Sequence, residues 1–370
     1  MSLRESGLLF RSKSWDLKFY TQMRRCYSKA TIHCNNEKKY LDPWFVTGFS
    51  DAEGCFMINI RKNPGCNIGW AVGAAFQISL HIKDKLILKK IEDFFGGIGS
   101  NKQGTNKWTF VVASLNHLMK IVEHFDNYPL ITKKCEDYLL FREAVKLMLR
   151  KEHLSKQGFE KILAIKASMN IGLSKNLQAA FPNINPVARP LIKTKKISHP
   201  YWVAGFTSGE GCFFLSVYKD SNMKLGHRIG IGFQLTQHIR DKQLLTLFER
   251  YFECGKYYIS KDGRHGDYIV SNISKLAEKI IPFFRQYKII GIKELDFLSW
   301  CEAIELVIAK KHLTPEGLAQ VREIKESMNK SRGLVDLDIA DLGEHTVKKR
   351  PLVKPISIQE VKSGNIRNFF

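Results

Sequence analysis

Two stretches of the sequence share one pattern, "VTGFSDAEGCFM" (residues 46–57) and "VAGFTSGEGCFF" (residues 203–214). In each, small residues precede a glutamate, which is followed by glycine, cysteine and phenylalanine. Small residues four positions apart, such as Gly205 and Gly209, lie on one face of a helix and let two helix backbones approach closely. The glycine after each glutamate is typical of a helix that ends in a left-handed residue before a strand. The pattern therefore predicts two short helices that pack together and bring both glutamates to the same end.

The rest of the chain repeats in the same order as these two stretches. "FQISLHIKDK" (residues 76–85) returns as "FQLTQHIRDK" (residues 233–242). Further on, "HLSKQGFEKILAIKASMN" (residues 153–170) returns as "HLTPEGLAQVREIKESMN" (residues 312–329). The repeat is as long as a domain, which indicates a duplicated domain and excludes a solenoid of short repeats.

Within each copy the hydrophobic periodicity changes between helix and strand. "CFMINIRK" (residues 55–62) alternates apolar and polar side chains, as a half-buried strand does. "DKLILKKIEDFF" (residues 84–95) has the spacing of an amphipathic helix. The predicted order per copy is α-β-β-α-β-β-α-α, an α+β fold whose four-stranded antiparallel sheet has one apolar and one polar face.

Composition divides the chain into five segments. Two domains are predicted over residues 41–171 and 200–335. Residues 172–199 are predicted to be a linker with neither a helix nor a central strand, because they are rich in proline and asparagine. A basic leader (1–40) precedes the domains and a basic tail (336–370) follows them.

The basic leader has nine lysines and arginines against three acids. It resembles a mitochondrial presequence, with a cleavage point after Tyr27. A disordered leader that is never removed fits the same composition, and both interpretations stay open.

The overall charge narrows the class of partner. The chain has 58 lysines and arginines against 36 acids and a formal net charge of +22, which favours a polyanion. Nucleic acid is favoured over an anionic membrane surface, because no amphipathic basic helix stands out and no apolar run could span a bilayer. The eight cysteines form no CxxC pair, so we expect neither disulfides nor a structural metal.

The paired glutamates, Glu53 and Glu210, have no evident structural purpose. A carboxylate in the last turn of a helix faces the negative end of the helix dipole, which costs roughly 0.3 to 1 kcal/mol, and two adjacent carboxylates also repel each other. Either glutamate alone could be a solvated surface acid. Together they predict a site for Mg²⁺ or Mn²⁺, in which the backbone carbonyls of Ala52 and Gly209 are further ligands and the cation bridges to phosphate.

The polar face of each predicted sheet supplies a surface for DNA. Lysine and arginine on this face would contact phosphates, and asparagine, glutamine and arginine would contact base edges in the major groove. The candidate DNA-binding residues of the sheets and their turns are Asn59, Arg61, Lys62, Ser216, Tyr218, Lys219, Arg228, Lys256, Tyr258, Lys261 and Arg264.

Both motifs, their spacing, the linker sequence "AFPNINPVARP" and the repeated "HL" segments resemble the LAGLIDADG homing endonucleases in their single-chain, two-motif form. The resemblance covers residues 41–332. It implies two pseudo-symmetric αββαββα domains with saddle-shaped sheets on double-stranded DNA. It also implies a monomer with an internal pseudo-dimer, which cuts both strands of a long target by metal-activated water and leaves a short 3′ overhang. This form is typical of fungal mitochondrial introns, so the expected location is the mitochondrion.

The resemblance also implies roles for four pairs of residues. Glu53 and Glu210 would be the catalytic acids, and the lysines would stabilise charge on the phosphate or activate water. The glutamines would order solvent near the metals. The histidines occupy a neighbouring position where the family often has a basic side chain, so they are further candidate DNA-binding residues. The lysine, glutamine and histidine pairs are Lys134 with Lys293, Gln77 with Gln234, and His81 with His238.

The sequence departs from the family pattern at Ser208, where a typical motif has an acid. That position precedes the catalytic one, so we expect little effect.

A second function stays open, an RNA-binding maturase or splicing factor for a group I intron on the same scaffold. A true presequence would favour this alternative, because a protein made inside the organelle needs no import signal.

Overall fold

The computed structural model describes residues 41–193 and 196–329. The predictions of a basic leader (1–40) and a basic tail (336–370) lie outside these residues, as do Cys26 and Cys34. Among the described cysteines, none is paired.

The first domain begins with a helix that Asp42 caps by accepting a hydrogen bond from the Trp44 N–H, with proline at the first helical position. Its elements are α1 (Pro43–Glu53), β1 (Gly54–Lys62), β2 (Trp70–His81), a 3₁₀ turn (Ile82–Asp84), α2 (Lys85–Phe94), β3 (Ser100–Gln103), β4 (Lys107–Val112), α3 (Leu115–Asn127), α4 (Lys134–Leu149), a 3₁₀ turn (Glu152–Leu154) and α5 (Lys156–Ser168).

The linker contains a helix, α6 (Lys175–Ala180), so the prediction of a segment without helix is wrong. The prolines that would break a helix begin only at Pro182. Leu177 of α6 is buried against Phe159 and Leu163 of α5, and this contact anchors the linker to the first domain.

The second domain repeats the first. Its elements are α7 (Pro200–Glu210), β5 (Gly211–Lys219), β6 (His227–His238), a 3₁₀ turn (Ile239–Asp241), α8 (Lys242–Phe252), β7 (Lys256–Ile259), β8 (His265–Val270), a one-turn helix (Ile273–Lys275), a π-helical turn (Leu276–Ile280), α9 (Ile281–Gln286), α10 (Ile292–Ile308), a 3₁₀ turn (Lys311–Leu313) and α11 (Pro315–Glu326).

Each domain has one antiparallel sheet, in the order β1-β2-β4-β3 and β5-β6-β8-β7. The helices cover one face of each sheet, where Phe56 and Ile58 of β1 and Phe213 of β5 are buried. The opposite face of each sheet is called here the outer face. The predicted α+β class and the αββαββα order are confirmed.

The two cores interlock at the domain boundary. Ala204 of the second domain belongs to the core of the first, while Trp44 and Ala52 of the first domain pack against the core of the second. The domains therefore share buried surface, and the position of one fixes the position of the other.

The glycines that follow the motif helices are extended, not left-handed, so the predicted cap is wrong. Gly54 has φ −71° and ψ 148°, and Gly211 has φ −73° and ψ 150°. Glycine is needed there for space, because an added Cβ would lie 2.7 Å from the carbonyl oxygen of Ser50 or Thr207.

No helix in residues 41–193 and 196–329 is long and apolar enough to cross a membrane.

Candidate active site

The site is built on a contact between the backbones of α1 and α7. A Cβ at Gly48 would overlap the carbonyl of Trp202, and a Cβ at Gly205 would overlap the carbonyl of Phe45. A Cβ at Gly209 would overlap the side chain of Ala52. The close approach predicted from the small residues is therefore present, and it sets the two helix ends side by side.

Glu53 and Glu210 are the last residues of these two helices. A Cβ at Gly209 would lie 3.4 Å from Oε1 of Glu53, so this carboxylate lies against the other helix. Burial raises the pKa of both carboxyls, and the charge of Glu53 raises the pKa of Glu210 further. A cation bound between two partly buried carboxylates would offset their mutual repulsion, so the pair is a candidate cation site.

Two lysines approach the same helix ends from the following helices. Lys134 Nζ donates hydrogen bonds to the carbonyl oxygens of Ser50 and Ala52, both at 3.0 Å, and Lys293 Nζ donates to the carbonyl oxygen of Gly209. Burial lowers the pKa of both ammonium groups, while the nearby glutamates oppose that shift. The structure thus brings together the predicted pairs of glutamates and lysines.

The carbonyls of Ala52 and Gly209 already accept these hydrogen bonds from lysine. A carbonyl oxygen has two lone pairs, so each could still turn one toward a cation. Within the described parts of the chain, no cluster of three or more histidine, cysteine or acidic side chains has metal-binding geometry. A cation at this position would thus depend on the two glutamates and backbone oxygens.

A cavity of about 320 Å³ opens beside Glu53. Lys293, Gly209 and Asp84 also line it. Since one water occupies about 30 Å³ of liquid, the cavity has room for several waters around a hydrated ion.

Asp51 holds the first motif helix against the segment that leads into α4. Its Oδ1 accepts hydrogen bonds from Thr132 N (3.2 Å) and Thr132 Oγ1 (2.6 Å). Its Oδ2 accepts from Ile131 N (2.9 Å) and from Trp202 Nε1 of the other domain (2.8 Å). Burial raises the pKa of Asp51 to about 6, against the effect of these hydrogen bonds. In the second motif, Ser208 Oγ accepts a hydrogen bond from Ile290 N at 3.2 Å. The serine therefore reproduces the contact that Asp51 makes with Ile131 N.

We expect Asp51→Asn to lower the free energy of unfolding by about 3 kcal/mol. Whichever way the amide turns, its NH₂ would face two of these four donors and leave them buried without an acceptor. Urea unfolding followed by tryptophan fluorescence measures the loss. Asp93→Asn, on the exposed side of α2, is the control and should stay within about 0.5 kcal/mol of the unaltered protein. Equal losses in both variants would contradict the role of Asp51.

The predicted glutamines lie on the outer faces, on β2 and β6. Gln77 pairs with Cys55 across the sheet, and Gln234 occupies the matching position opposite Cys212. The Gln234 amide donates to Asp267 Oδ1 at 2.8 Å, which holds its side chain against the sheet. The solvent-ordering role of both glutamines stays a prediction.

The two histidines end the same strands. Nδ1 of His81 accepts a hydrogen bond from Lys83 N, and Nδ1 of His238 accepts from Arg240 N, each at 3.2 Å. Each hydrogen bond caps the 3₁₀ turn that follows and orients the ring through Nδ1. Because both histidines are exposed, Nε2 remains on the exposed side.

Most of the predicted DNA-binding residues lie on the outer faces or in the β7–β8 turn. By strand alternation, the outer face carries Asn59, Arg61, Ser216, Tyr218, Arg228, Lys256 and Tyr258, and the turn carries Lys261 and Arg264.

The prediction that Lys219 lies on the polar face is wrong, and Lys62 occupies the equivalent position in the first domain; contact of either lysine with DNA stays a prediction. Each is the last residue of its strand and lies an even number of residues after a core residue, Ile58 or Leu215, so it is on the same face as the core. The Lys62 ammonium lies 5.8 Å from the centre of the Trp70 ring. The sequence misled because a charged residue at a strand end is exposed on either face.

Sequence reasoning missed two kinds of residue at the site. Gln237 donates a hydrogen bond toward Glu210, while the first domain has Leu80 at the matching position. Asp84 and Asp241 reach into the partner domain, as described below. The repeated "HIKDK" and "HIRDK" carried a signal for these aspartates, since both copies retain the acid.

Fold and site together define a class, single-chain proteins in which two copies of one domain meet at a pair of helices that end in carboxylates. A sequence profile described as LAGLIDADG endonuclease matches residues 46–145 and 203–304. The chain belongs to the LAGLIDADG endonuclease family, as the sequence predicted.

Two curated relatives come from Neurospora crassa. The chain is 39% identical over 317 residues to "Probable intron-encoded endonuclease 2", which covers 82% of this chain and 68% of that protein. It is 37% identical over 296 residues to "Probable intron-encoded endonuclease 3", which covers 79% of this chain and 55% of that protein. The chain thus spans about half to two thirds of the length of these relatives.

Solved structures of homing endonucleases share the fold. The chain is similar to I-SmaMI bound to cleaved DNA, with 45% identity, a TM-score of 0.78 and coverage of 80% of this chain and 100% of that one. Other I-SmaMI structures show the protein bound to an uncleaved DNA target in the presence of calcium ions, or variants with alanine in place of one or both of two lysines. I-GzeII in complex with its DNA target is 40% identical, with a TM-score of 0.74 and coverage of 79% of this chain and 100% of that one.

Proposed function

We propose that this protein is a site-specific DNA endonuclease that makes a double-strand break at a long target by metal-dependent phosphodiester hydrolysis. One observation carries the proposal: Glu53 and Glu210 meet at the ends of α1 and α7, which lead directly into β1 and β5. The outer faces of the two sheets carry the basic side chains that would hold DNA, and the carboxylates lie where those sheets begin.

The donor set fits a divalent cation such as Mg²⁺ or Mn²⁺. Glu53 and Glu210 offer hard oxygen ligands, and the carbonyls of Ala52 and Gly209 are close by. A divalent cation held there would lower the pKa of a bound water and neutralise charge on the phosphate. The similar protein I-SmaMI is bound to an uncleaved DNA target in the presence of calcium ions, which supports the involvement of a divalent cation.

The lysines would act on the phosphate. As the water oxygen bonds to phosphorus and the sugar oxygen on the far side leaves, negative charge grows on the phosphate oxygens. Lys134 and Lys293 hold ammonium groups beside the two carboxylates, where they can stabilise that charge. The two lysines replaced in the I-SmaMI variants are separated by the same number of residues as Lys134 and Lys293, which supports this assignment.

We expect cutting only with a divalent cation that supports hydrolysis. The protein is incubated with DNA that spans an uninterrupted intron-insertion junction, or with a pooled target library, in Mg²⁺, Mn²⁺, Ca²⁺ or EDTA. Both strands should be cut in Mg²⁺ and neither in EDTA, because the carboxylates alone cannot activate water at neutral pH. Tight DNA binding without cutting in any metal would overturn the nuclease proposal, and tight binding of group I intron RNA in that case would favour a maturase.

The mitochondrion is the proposed location. Relatives include "Uncharacterized mitochondrial protein RF1" of Saccharomyces cerevisiae and "Uncharacterized 50.9 kDa protein in ND4 intron 1" of Podospora anserina. A protein of intron origin in this organelle would meet its DNA target there.

A further inference from the structure

Two aspartates at the edge of the active site connect the domains. Asp84 and Asp241 each end the 3₁₀ turn that follows the second strand of their sheet. Asp84 Oδ1 accepts a hydrogen bond from Ile292 N of the second domain at 2.9 Å. Asp241 Oδ1 accepts from Lys133 N of the first domain at 2.7 Å. The two contacts are equivalent under the pseudo-symmetry of the chain.

Each contact lies one residue before an active-site lysine. Ile292 precedes Lys293 at the start of α10, and Lys133 precedes Lys134 at the start of α4. An aspartate oxygen that accepts from an N–H at the start of a helix fixes where that helix begins. The aspartate of one domain thus fixes the backbone from which the lysine of the other domain projects.

The local backbone is shaped to admit Asp84. Gly291 has φ 90°, and a Cβ at this position would lie 2.7 Å from Asp84 Oδ1. Asp241 is 5% exposed, and Arg240 Nε lies 3.6 Å from its other oxygen. Asp84 also lines the cavity beside Glu53 and Lys293.

We propose that Asp84 and Asp241 are positioning residues that place Lys293 and Lys134 across the domain boundary, so that each aspartate supports the cutting of one DNA strand. This inference rests on the proposed nuclease function. The pseudo-symmetry that relates the two aspartates also relates the two antiparallel strands of DNA. Asp84 and Asp241 are therefore expected to support the cutting of opposite strands.

The test compares Asp84→Ala and Asp241→Ala on a supercoiled plasmid with one target, with each strand labelled separately. Each variant should slow the cutting of one strand by about 10- to 100-fold, because a shift of about 1 Å in a catalytic group has an effect of this size. Nicked plasmid should accumulate, with opposite strands intact in the two variants. Asp84→Asn and Asp241→Asn keep an oxygen acceptor and should recover most of the rate.

Controls separate positioning from folding. Asp93→Ala, on the exposed side of α2, should cut both strands like the unaltered protein, and the melting temperature and DNA affinity of every variant are measured. Equal slowing of both strands, or the same slow strand in both variants, would overturn the inference.

A readout independent of cutting completes the test. Hydrogen exchange at the Ile292 amide should accelerate in Asp84→Ala and stay slow in Asp84→Asn. Unchanged exchange in Asp84→Ala would overturn the proposed contact. Failure of the unaltered protein to cut would overturn the proposed function and the strand assignment, while the exchange result would still decide whether Asp84 holds the start of α10.

Discussion

Glu53→Gln or Glu210→Gln slows DNA cutting by about 1,000-fold or more and leaves target binding nearly unchanged. Glutamine has the shape of glutamate but no charge, so it weakens the cation site without disturbing the helix contact. A divalent cation contributes several kcal/mol to stabilising the transition state, and each 1.36 kcal/mol lost is a factor of ten in rate. The outer faces, which are proposed to hold DNA, are unaltered in both variants.

The same variants should be more stable than the unaltered protein in EDTA. Burial raises the pKa of both carboxyls, which means that their charge costs free energy in the folded state, and glutamine removes that cost. Loss of activity together with a higher melting temperature would identify a site that gives up stability for chemistry. The measurements are single-turnover cleavage, target affinity in Ca²⁺, and thermal unfolding in EDTA.

Glu160→Gln, on the exposed side of α5, is the matched control. It should cut and melt like the unaltered protein. Retained cutting by Glu210→Gln would mean that a single carboxylate is sufficient, and the paired-glutamate site would be wrong.

The sequence predicted this site because the motif that contains its glutamate occurs twice along the chain. Glu53 and Glu210 fall at matching positions, and helical spacing places small residues beneath them. The contacts of Asp84 and Asp241 could not be predicted in this way, since each joins residues of different domains and depends on how the domains dock. Lys219 was placed on the wrong face of its sheet for a local reason, because alternation assigns a face only when the strand register is known.

Gly54 and α6 show the limits of residue preferences. Glycine after a helix is typical of a left-handed cap, but at Gly54 the neighbouring carbonyl of Ser50 excludes a Cβ while the backbone stays extended. The composition of the linker favours an irregular segment, yet Leu177 finds a hydrophobic site on α5 and a short helix forms around it. In both cases a tertiary contact decides the conformation.

Gly205→Val should have the second large effect, a loss of about 3 kcal/mol in the free energy of unfolding together with loss of cutting. A Cβ at this position would overlap the carbonyl of Phe45 in the facing helix, and backbone cannot move aside as a flexible side chain does. Overpacking of a closely packed contact costs roughly 1 to 3 kcal/mol, and the β-branched side chain places the cost at the upper end.

The helices would have to separate, and the carboxylates at their ends would separate with them. Chemical unfolding and cleavage of the same preparation measure both effects. Gly73→Ala is the control, because a Cβ there meets nothing within 4 Å and its backbone is not left-handed. If Gly205→Val unfolds at the same urea concentration as Gly73→Ala and still cuts both strands, the backbone contact between α1 and α7 does not hold the two glutamates together.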